Sequence, residues 1–212
     1  MRAVLWDLDG VLVDSAPFHF QAWHELMASL GRELSEADFR RTFGQRNDAI
    51  LRDLLGELAP GEVEQLAARK EELFRQAARG NIAALPGSLA LLRLLRERGL
   101  KLALVSSTPH ANIDMVLRSL GVEEAFDVIV GEEDVTRGKP NPEGFLLAAK
   151  RLGVMPAECV VIEDAPAGVE AAKRGGMRCV GVCRDRPREA LAKADLVVES
   201  LDDPAVREFF GG

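Results

Sequence analysis

Four short segments of this 212-residue chain combine side chains that could do chemistry together. The first is Asp7-Leu8-Asp9-Gly10, which directly follows the apolar run Ala3–Trp6. Two carboxylates placed so close together raise each other's pKa unless a cation lies between them. A metal ion would remove that repulsion, whereas a solvated Asp-Gly turn is the structural alternative. Alone, this segment leaves both interpretations open.

The second segment, Ser106-Ser107-Thr108, offers three hydroxyls between the apolar run Lys101–Val105 and a helix predicted over 112–120. Hydroxyls and free backbone N–H groups at the start of a helix suit a phosphate oxyanion. The same residues also serve as an ordinary helix N-cap. The segment becomes informative only when it lies beside the others.

The remaining two segments supply a cation and two further acids. Lys139 lies in a loop stiffened by Pro140 and Pro142, where a lysine can act as a fixed positive charge; most lysines are instead solvated surface charges. Glu163 and Asp164 follow the apolar run 159–162. Adjacent acids at that position provide the hard oxygen ligands that Mg²⁺ prefers, with a helix N-cap by Asp164 as the alternative.

Short apolar runs alternate with helical patterns through most of the chain, which is typical of βαβ units. The predicted strands are Ala3–Trp6, Lys101–Val105, 127–130, 159–162, Arg178–Val182 and 195–198. This pattern predicts an open, doubly wound α/β fold with a mostly parallel, Rossmann-like sheet. Ligands of such sheets bind at the carboxyl ends of the strands, so we expect all four segments to meet there.

One interval interrupts the alternation and shows only helical periodicity. Leu51, Leu54, Leu55 and Leu58 recur at helical spacing, and no strand-like run occurs between 15 and 82. We therefore predict a catalytic core formed by residues 1–14 and 83–212, with a small all-helical cap domain inserted over 15–82.

Acids, a divalent cation, a lysine and hydroxyls around one point would form a phosphoryl-transfer site. The chain resembles the haloacid dehalogenase-like hydrolases, in the helical-cap branch of β-phosphoglucomutase and phosphoglycolate phosphatase. The family's first motif, D-x-D-G-x-[VIL]-x-D-[ST], matches Asp7 through Ser15. The second matches Ser106, the third Lys139 in Lys-Pro-x-Pro, and the fourth Glu163-Asp164.

The resemblance implies a set of roles for these positions. Asp7 would be the nucleophile that forms an aspartyl-phosphate, and Asp9 would be the general acid and base. Phosphate would be bound by Ser106, Ser107 and Lys139. The implied cofactor is Mg²⁺, held by the Asp7 carboxylate, the Asp9 backbone carbonyl and Asp164, with Glu163 as a further ligand or an orienting residue.

The resemblance also implies that the cap acts as a lid and selects the substrate. Candidate substrate-binding residues there are His19, Arg46, Asn47 and Lys70. His19 could equally make a packing or hinge contact, and Lys70 could lie on a solvated helix face. Arg46 and Asn47 resemble the phosphate-binding segment of the mutase, although the spacing from Gly44 is one residue shorter.

These features predict a Mg²⁺-dependent phosphatase for a small phosphorylated metabolite, with a sugar phosphate as the first choice. A sugar phosphomutase of the β-phosphoglucomutase type is the alternative, because it differs only in the group that accepts the phosphoryl. A catalytically silent metabolite-binding module is a third hypothesis. Such a module usually lacks the equivalents of Asp7 or Lys139, and both are present here.

Composition excludes several other classes. A net charge of −7 without a basic patch argues against nucleic-acid binding, and the apolar runs are too short to span a membrane. An acidic residue as early as Asp7 argues against a signal peptide, so we expect a cytoplasmic protein. The three cysteines are expected to be buried thiols. We expect a monomer, with a homodimer as the alternative.

Overall fold

The computed structural model of the protein describes residues 1–184 and 186–211. The chain divides into two compact units. The first consists of Met1–Asp14 and Ala83–Gly212, and the second is Ser15–Ile82. Within the first unit, the end of its first segment and the start of its second lie side by side. Val13 and Ala84 form an antiparallel bridge, and Leu85 N donates to Leu12 O at 2.9 Å.

The first unit is built on a six-stranded parallel sheet, which confirms the predicted fold class. Its strands lie in the order β3-β2-β1-β4-β5-β6. They are β1 (Ala3–Trp6), β2 (Lys101–Val105), β3 (Val128–Val130), β4 (Cys159–Glu163), β5 (Arg178–Val182) and β6 (Leu196–Val198). Every residue of β1 and of β4 is buried, as expected for central strands covered on both faces.

Three predicted strand ends were wrong by one residue. β3 and β6 begin after Asp127 and Asp195, and β4 extends to include Glu163. Each aspartate accepts a hydrogen bond from a neighbouring strand with its side chain: Leu102 N donates to Asp127 Oδ2 at 2.8 Å and Cys179 N to Asp195 Oδ2 at 2.7 Å. The two aspartates therefore precede their strands as side-chain caps.

The second unit is helical in its described elements. It contains α1 (Ala16–Ser29), α2 (Glu36–Thr42), α3 (Asn47–Leu55) and α4 (Pro60–Ala78). The longest two, α1 and α4, pack against each other around Trp23, Leu26, Leu73 and Phe74, all of which are buried. The core of this unit is thus formed by its own helices.

The described residues of the first unit form five further helices. They are α5 (Ser88–Glu97), α6 (His110–Leu120), α7 (Glu143–Leu152), α8 (Pro166–Arg174) and α9 (Pro204–Phe209), and short 3-10 turns lie at Glu132–Asp134, Pro156–Glu158 and Arg188–Leu191. The predicted start of α6 at 112 was wrong, because the helix already begins at His110, directly after Pro109. Among the described residues, no helix combines the length and the apolar character needed to cross a bilayer.

The cysteines bear out the interpretation drawn from their number and spacing. Cys159, Cys179 and Cys183 are all free and buried. Burial raises the pKa of the Cys159 thiol to about 11 and also raises the pKa of Cys179. Both thiols therefore stay protonated and act as small apolar side chains in the sheet core.

Candidate active site

The site begins where the central strands β1 and β4 end. Asp7 is the first residue after β1, and its N–H donates to Ile162 O at 3.0 Å, which aligns the ends of the two strands. The next residues form a tight turn in which Val13 N donates to Leu8 O at 3.1 Å and Gly10 N to Val13 O at 2.9 Å. This turn keeps the Asp7 and Asp9 side chains near the carboxyl edge of the sheet.

Three carboxylates from the ends of these strands converge. Asp7, Glu163 and Asp164 can each offer one oxygen, and these oxygens lie within 4.8 Å of one another. Asp7 and Glu163 are buried, and Asp164 is half-buried. Such a group of hard oxygen donors suits a divalent cation such as Mg²⁺.

Burial and mutual repulsion make the ionised forms of these acids unfavourable. Burial raises the pKa of Asp7 well above its usual range, although Lys139 acts in the opposite direction. Burial and the neighbouring Glu163 raise the pKa of Asp164 to about 7. The Asp9 charge contributes to both increases, so this half-buried residue belongs to the same electrostatic group. A bound cation would relieve the remaining repulsion.

Gly10 allows the first turn to approach Asp164 closely. Its φ of +81° is a conformation that side-chain-bearing residues rarely adopt. A Cβ atom there would also overlap the Asp164 carboxylate. Gly10 therefore lets the Asp164 carboxylate lie against the backbone of this turn.

Lys139 lies between two of the acids. Its Nζ is 2.7 Å from Asp7 Oδ1 and 2.5 Å from Glu163 Oε1. Burial acts to lower the pKa of Lys139, but the charges of Asp7 and Glu163 outweigh it and raise the pKa above its ordinary value. The lysine is thus a fixed cation, and the alternative of a solvated surface lysine is excluded.

Glu163 has both of its carboxylate oxygens engaged by the protein. Oε1 accepts from Lys139, and Oε2 accepts from Ala165 N at 2.9 Å. Gly168, in the first turn of α8, makes room for this side chain, since a Cβ at that position would overlap the carboxylate. These contacts favour the orienting role for Glu163 over direct coordination of the cation.

The hydroxyl segment follows β2, on the other side of β1. Ser106 N donates to Val130 O at 3.0 Å, and Lys139 Nζ lies 3.4 Å from Val105 O, so the lysine reaches the residue next to Ser106. Ser106 Oγ accepts from Thr108 N at 3.2 Å, which leaves its proton available for a phosphate oxygen. Ser107 is half-buried beside it.

Sequence reasoning missed one residue that supports this segment. Asn112 is fully buried in α6, and its Nδ2 donates to Thr108 Oγ1 at 3.0 Å. This contact orients the Thr108 hydroxyl. Its oxygen accepts the hydrogen bond from Asn112, so its proton can be donated to another acceptor. A polar residue on the buried face of a predicted helix was the signal in the sequence that could have indicated it.

Three of the four candidate residues of the second unit lie in one buried cluster. Lys70 Nζ is 2.8 Å from His19 Nδ1 and 2.8 Å from Glu71 Oε1, and Asn47 Nδ2 donates to the same Glu71 oxygen at 2.7 Å. The His19 ring stacks on Phe74 with centroids 4.0 Å apart. The alternative of a solvated face for Lys70 is therefore wrong.

The partner that sequence reasoning missed is Glu71. Although burial acts to raise the pKa of Glu71, the adjacent Lys70 and His19 lower it below its usual range, so the carboxylate remains ionised as the counter-charge of the cluster. Arg46 is half-buried and pairs with Asp48, with 3.2 Å between Nε and Oδ1. Arg46 precedes α3, so its acidic partner lies in the first turn of the following helix.

Comparison with known proteins gives a consistent result. A sequence profile described as haloacid dehalogenase-like hydrolase matches residues 1–176. The chain is 34% identical over 205 residues to validoxylamine A 7'-phosphate phosphatase of Streptomyces hygroscopicus subsp. limoneus, covering 95% of each chain. It is 35% identical over 216 residues to β-phosphoglucomutase of Bacillus subtilis, covering 96% of this chain and 91% of that protein.

The fold comparison agrees. The crystal structure of β-phosphoglucomutase from Clostridium difficile superposes with a TM-score of 0.88 at 30% identity, covering 98% of this chain and 96% of that one. The resemblance inferred from the four motifs is thereby confirmed.

The raised pKa of Asp164 makes cation binding dependent on pH. With a pKa of about 7, the carboxylate is mostly protonated below that value, and protons then compete with Mg²⁺. In calorimetric titrations with MgCl₂, we expect the Kd to rise at least about tenfold per pH unit below 7, because the raised pKa of Asp7 adds to the proton competition at Asp164. Asp164→Asn should bind Mg²⁺ weakly and with a smaller slope, which Asp7 alone supplies. Equal affinities at pH 6 and pH 8 would contradict the assignment.

Gly168 and Gly61 should respond in opposite directions to the same change. Gly168→Ala forces the buried Glu163 side chain to move, so we expect the free energy of unfolding to fall by about 1–3 kcal/mol. Gly61 has no atom within 4 Å of a built Cβ, and Gly61→Ala should stabilise the protein by up to about 1 kcal/mol. Urea denaturation measures both values. A Gly168→Ala protein as stable as the parent would show that Glu163 is not confined as described.

Proposed function

Because the chain belongs to the haloacid dehalogenase-like hydrolases, we propose that it is a Mg²⁺-dependent phosphatase of a small phosphorylated metabolite, with a sugar phosphate as the first choice. The observation that carries the proposal is the position of Lys139 between Asp7 and Glu163, with Asp164 in the same group of carboxylates. This arrangement combines a nucleophile, a fixed cation and oxygen donors for a metal ion. Phosphoryl transfer needs these components.

In the first step, an Asp7 carboxylate oxygen attacks phosphorus, and the bond between phosphorus and the departing alcohol oxygen breaks. Asp9 gives its proton to that oxygen as it leaves. The products of this step are the free alcohol and an aspartyl-phosphate on Asp7. Covalent catalysis of this kind divides one difficult displacement into two easier ones.

In the second step, water attacks the phosphorus of the aspartyl-phosphate and gives a proton to Asp9. The bond between phosphorus and Asp7 breaks, inorganic phosphate leaves, and both acids return to their starting protonation states. A group that donates a proton and then accepts one needs a pKa closer to neutrality than that of a free carboxyl group.

Charge on the phosphoryl group is balanced by the residues that surround it. Lys139 and the Ser106 hydroxyl would bind the non-bridging oxygens, with Ser107 beside them. Asp7, Asp164 and the Asp9 backbone carbonyl would hold Mg²⁺, and Glu163 would keep Lys139 in place. When bound, the ion withdraws negative charge from the phosphoryl oxygens as phosphorus is attacked.

A sugar phosphomutase is the second candidate. It is favoured by the 35% identity to a β-phosphoglucomutase. We propose that His19, Arg46, Asn47 and Lys70 influence substrate choice. A phosphatase comes first because two relatives with 34% and 35% identity are named validoxylamine A 7'-phosphate phosphatase and hexitol phosphatase A.

Loss of the nucleophile should abolish hydrolysis without unfolding the protein. For Asp7→Asn we expect kcat for p-nitrophenyl phosphate to fall at least about a thousandfold, because no carboxylate remains to attack phosphorus. EDTA should likewise remove the activity of the parent protein. Asp114→Asn, on the exposed face of α6, is the control and should remain fully active. Substantial hydrolysis by Asp7→Asn would exclude the aspartyl-phosphate mechanism.

The products distinguish the two candidate reactions. Incubation with β-glucose 1-phosphate and MgCl₂ should release inorganic phosphate, detected by a molybdate assay, if water is the acceptor. A coupled glucose 6-phosphate dehydrogenase assay detects the isomer in the same samples. Rapid formation of glucose 6-phosphate without phosphate release would reverse the order of the two candidates.

A further inference from the structure

Lys139 lies in a loop that is closed by one acidic side chain. The loop runs from Thr136 to the first residue of α7, Glu143. Glu143 Oε1 accepts from Thr136 N at 2.9 Å and from Thr136 Oγ1 at 3.0 Å. Its Oε2 accepts from Arg137 N at 3.2 Å and from Arg137 Nε at 3.3 Å. One carboxylate therefore binds two consecutive residues upstream of the lysine.

The same residue is also fixed to the downstream part of the loop. Glu143 N donates to Asn141 Oδ1 at 3.1 Å. Lys139 thus lies between two anchor points, Thr136 and Arg137 before it and Asn141 after it, and Glu143 joins both. Its backbone and side chain together close the loop that carries the lysine.

The first turn of α7 provides a firm base for this closure. The Phe145 ring is buried, and its centroid lies 5.3 Å from Lys139 Nζ, so the ring supports the ammonium group from below. Gly144, which lies between Glu143 and Phe145 in the chain, packs against the end of β2, since a Cβ there would lie only 3.1 Å from Val105 Cγ1. Hydrogen bonds from Thr136 keep the pKa of the Glu143 carboxyl below its usual range.

We propose that Glu143 is a positioning residue that holds Lys139 against Asp7 and Glu163. The proposal rests on the proposed function, because Lys139 is the cation of the phosphoryl-transfer site. A lysine side chain has many rotamers, and freezing it in one geometry has a large entropic cost. If the backbone of the loop is already held in place, Lys139 has fewer conformations to lose, and the entropic cost of fixing its side chain is smaller. Displacement of a catalytic group by as little as about 1 Å can lower a rate substantially.

Glu158 offers a matched control for this role. Its Oε2 accepts from Met155 N at 3.0 Å and thereby closes the 3-10 turn Pro156–Glu158 before β4. Like Glu143 it is partly exposed, and it forms an ion pair with an arginine. It lies at the amino end of the strands, opposite the site, so its removal tests the structural loss alone.

The experiment compares Glu143→Ala, Glu143→Gln and Glu158→Ala with the parent protein. For Glu143→Ala we expect kcat/KM for p-nitrophenyl phosphate to fall about tenfold and the inhibition constant of inorganic phosphate to rise about fivefold. Glu143→Gln keeps one acceptor oxygen and should lose about threefold in kcat/KM. Glu158→Ala should lower the Tm without changing either kinetic value. Crystal structures of Glu143→Ala or Glu143→Gln should show Lys139 Nζ beyond hydrogen-bond distance of Asp7.

Several outcomes would overturn the proposal. Kinetic values of both Glu143 variants that match those of Glu158→Ala would reduce Glu143 to a structural cap. An unmoved Lys139 in the variant structures would do the same, even if activity fell. Failure of the proposed function is distinct, since the parent protein would then release no phosphate while the crystal structures would still report the lysine position. If Glu143→Ala does not fold, Glu143→Gln carries both measurements.

Discussion

The first unit depends on the balance of charge around Lys139. Three carboxylates meet at the ends of two buried strands, and an assembly of acids with little solvent is unstable without a compensating cation. The lysine provides part of that compensation through contacts of 2.7 and 2.5 Å to Asp7 and Glu163. Burial and the neighbouring Glu163 nevertheless raise the pKa of Asp164, so the lysine does not fully offset the cost of ionising these acids, and a bound divalent cation would lower that cost further.

Much of the local structure follows from that balance. At Gly10 and at Gly168, the backbone approaches a carboxylate so closely that a Cβ would overlap it. The parallel pairing of β1 with β4 brings Asp7 next to Glu163 and Asp164, although they are far apart in the chain. Phe145, in the first turn of α7, packs its ring against the ammonium group of Lys139. Each of these features holds one charged group at the edge of the sheet. The local backbone structure and the arrangement of charges therefore depend on each other.

The helical unit contains a second buried lysine, whose charge is also paired with that of a carboxylate. Lys70 has Glu71 as its counter-charge, and Asn47 and His19 complete the hydrogen bonds. Burying such a network requires that its members have partners, because an unpaired buried charge is strongly unfavourable. The two units therefore each contain a paired lysine within their own packing.

The order of residue types along the chain was enough to predict the sheet and the meeting of Asp7, Lys139 and Asp164 at the carboxyl ends of its strands, because strand ends and motif spacings are local features. The partners of these groups were not predictable in the same way. Glu71, Asn112 and Glu143 act through contacts that form only when separate elements pack, and a charged residue on a predicted helix most often faces solvent. Packing also resolved whether Lys70 is solvated or buried and which groups Glu163 contacts. Both outcomes depend on desolvation and on neighbours distant in sequence, and neither is encoded in local spacing.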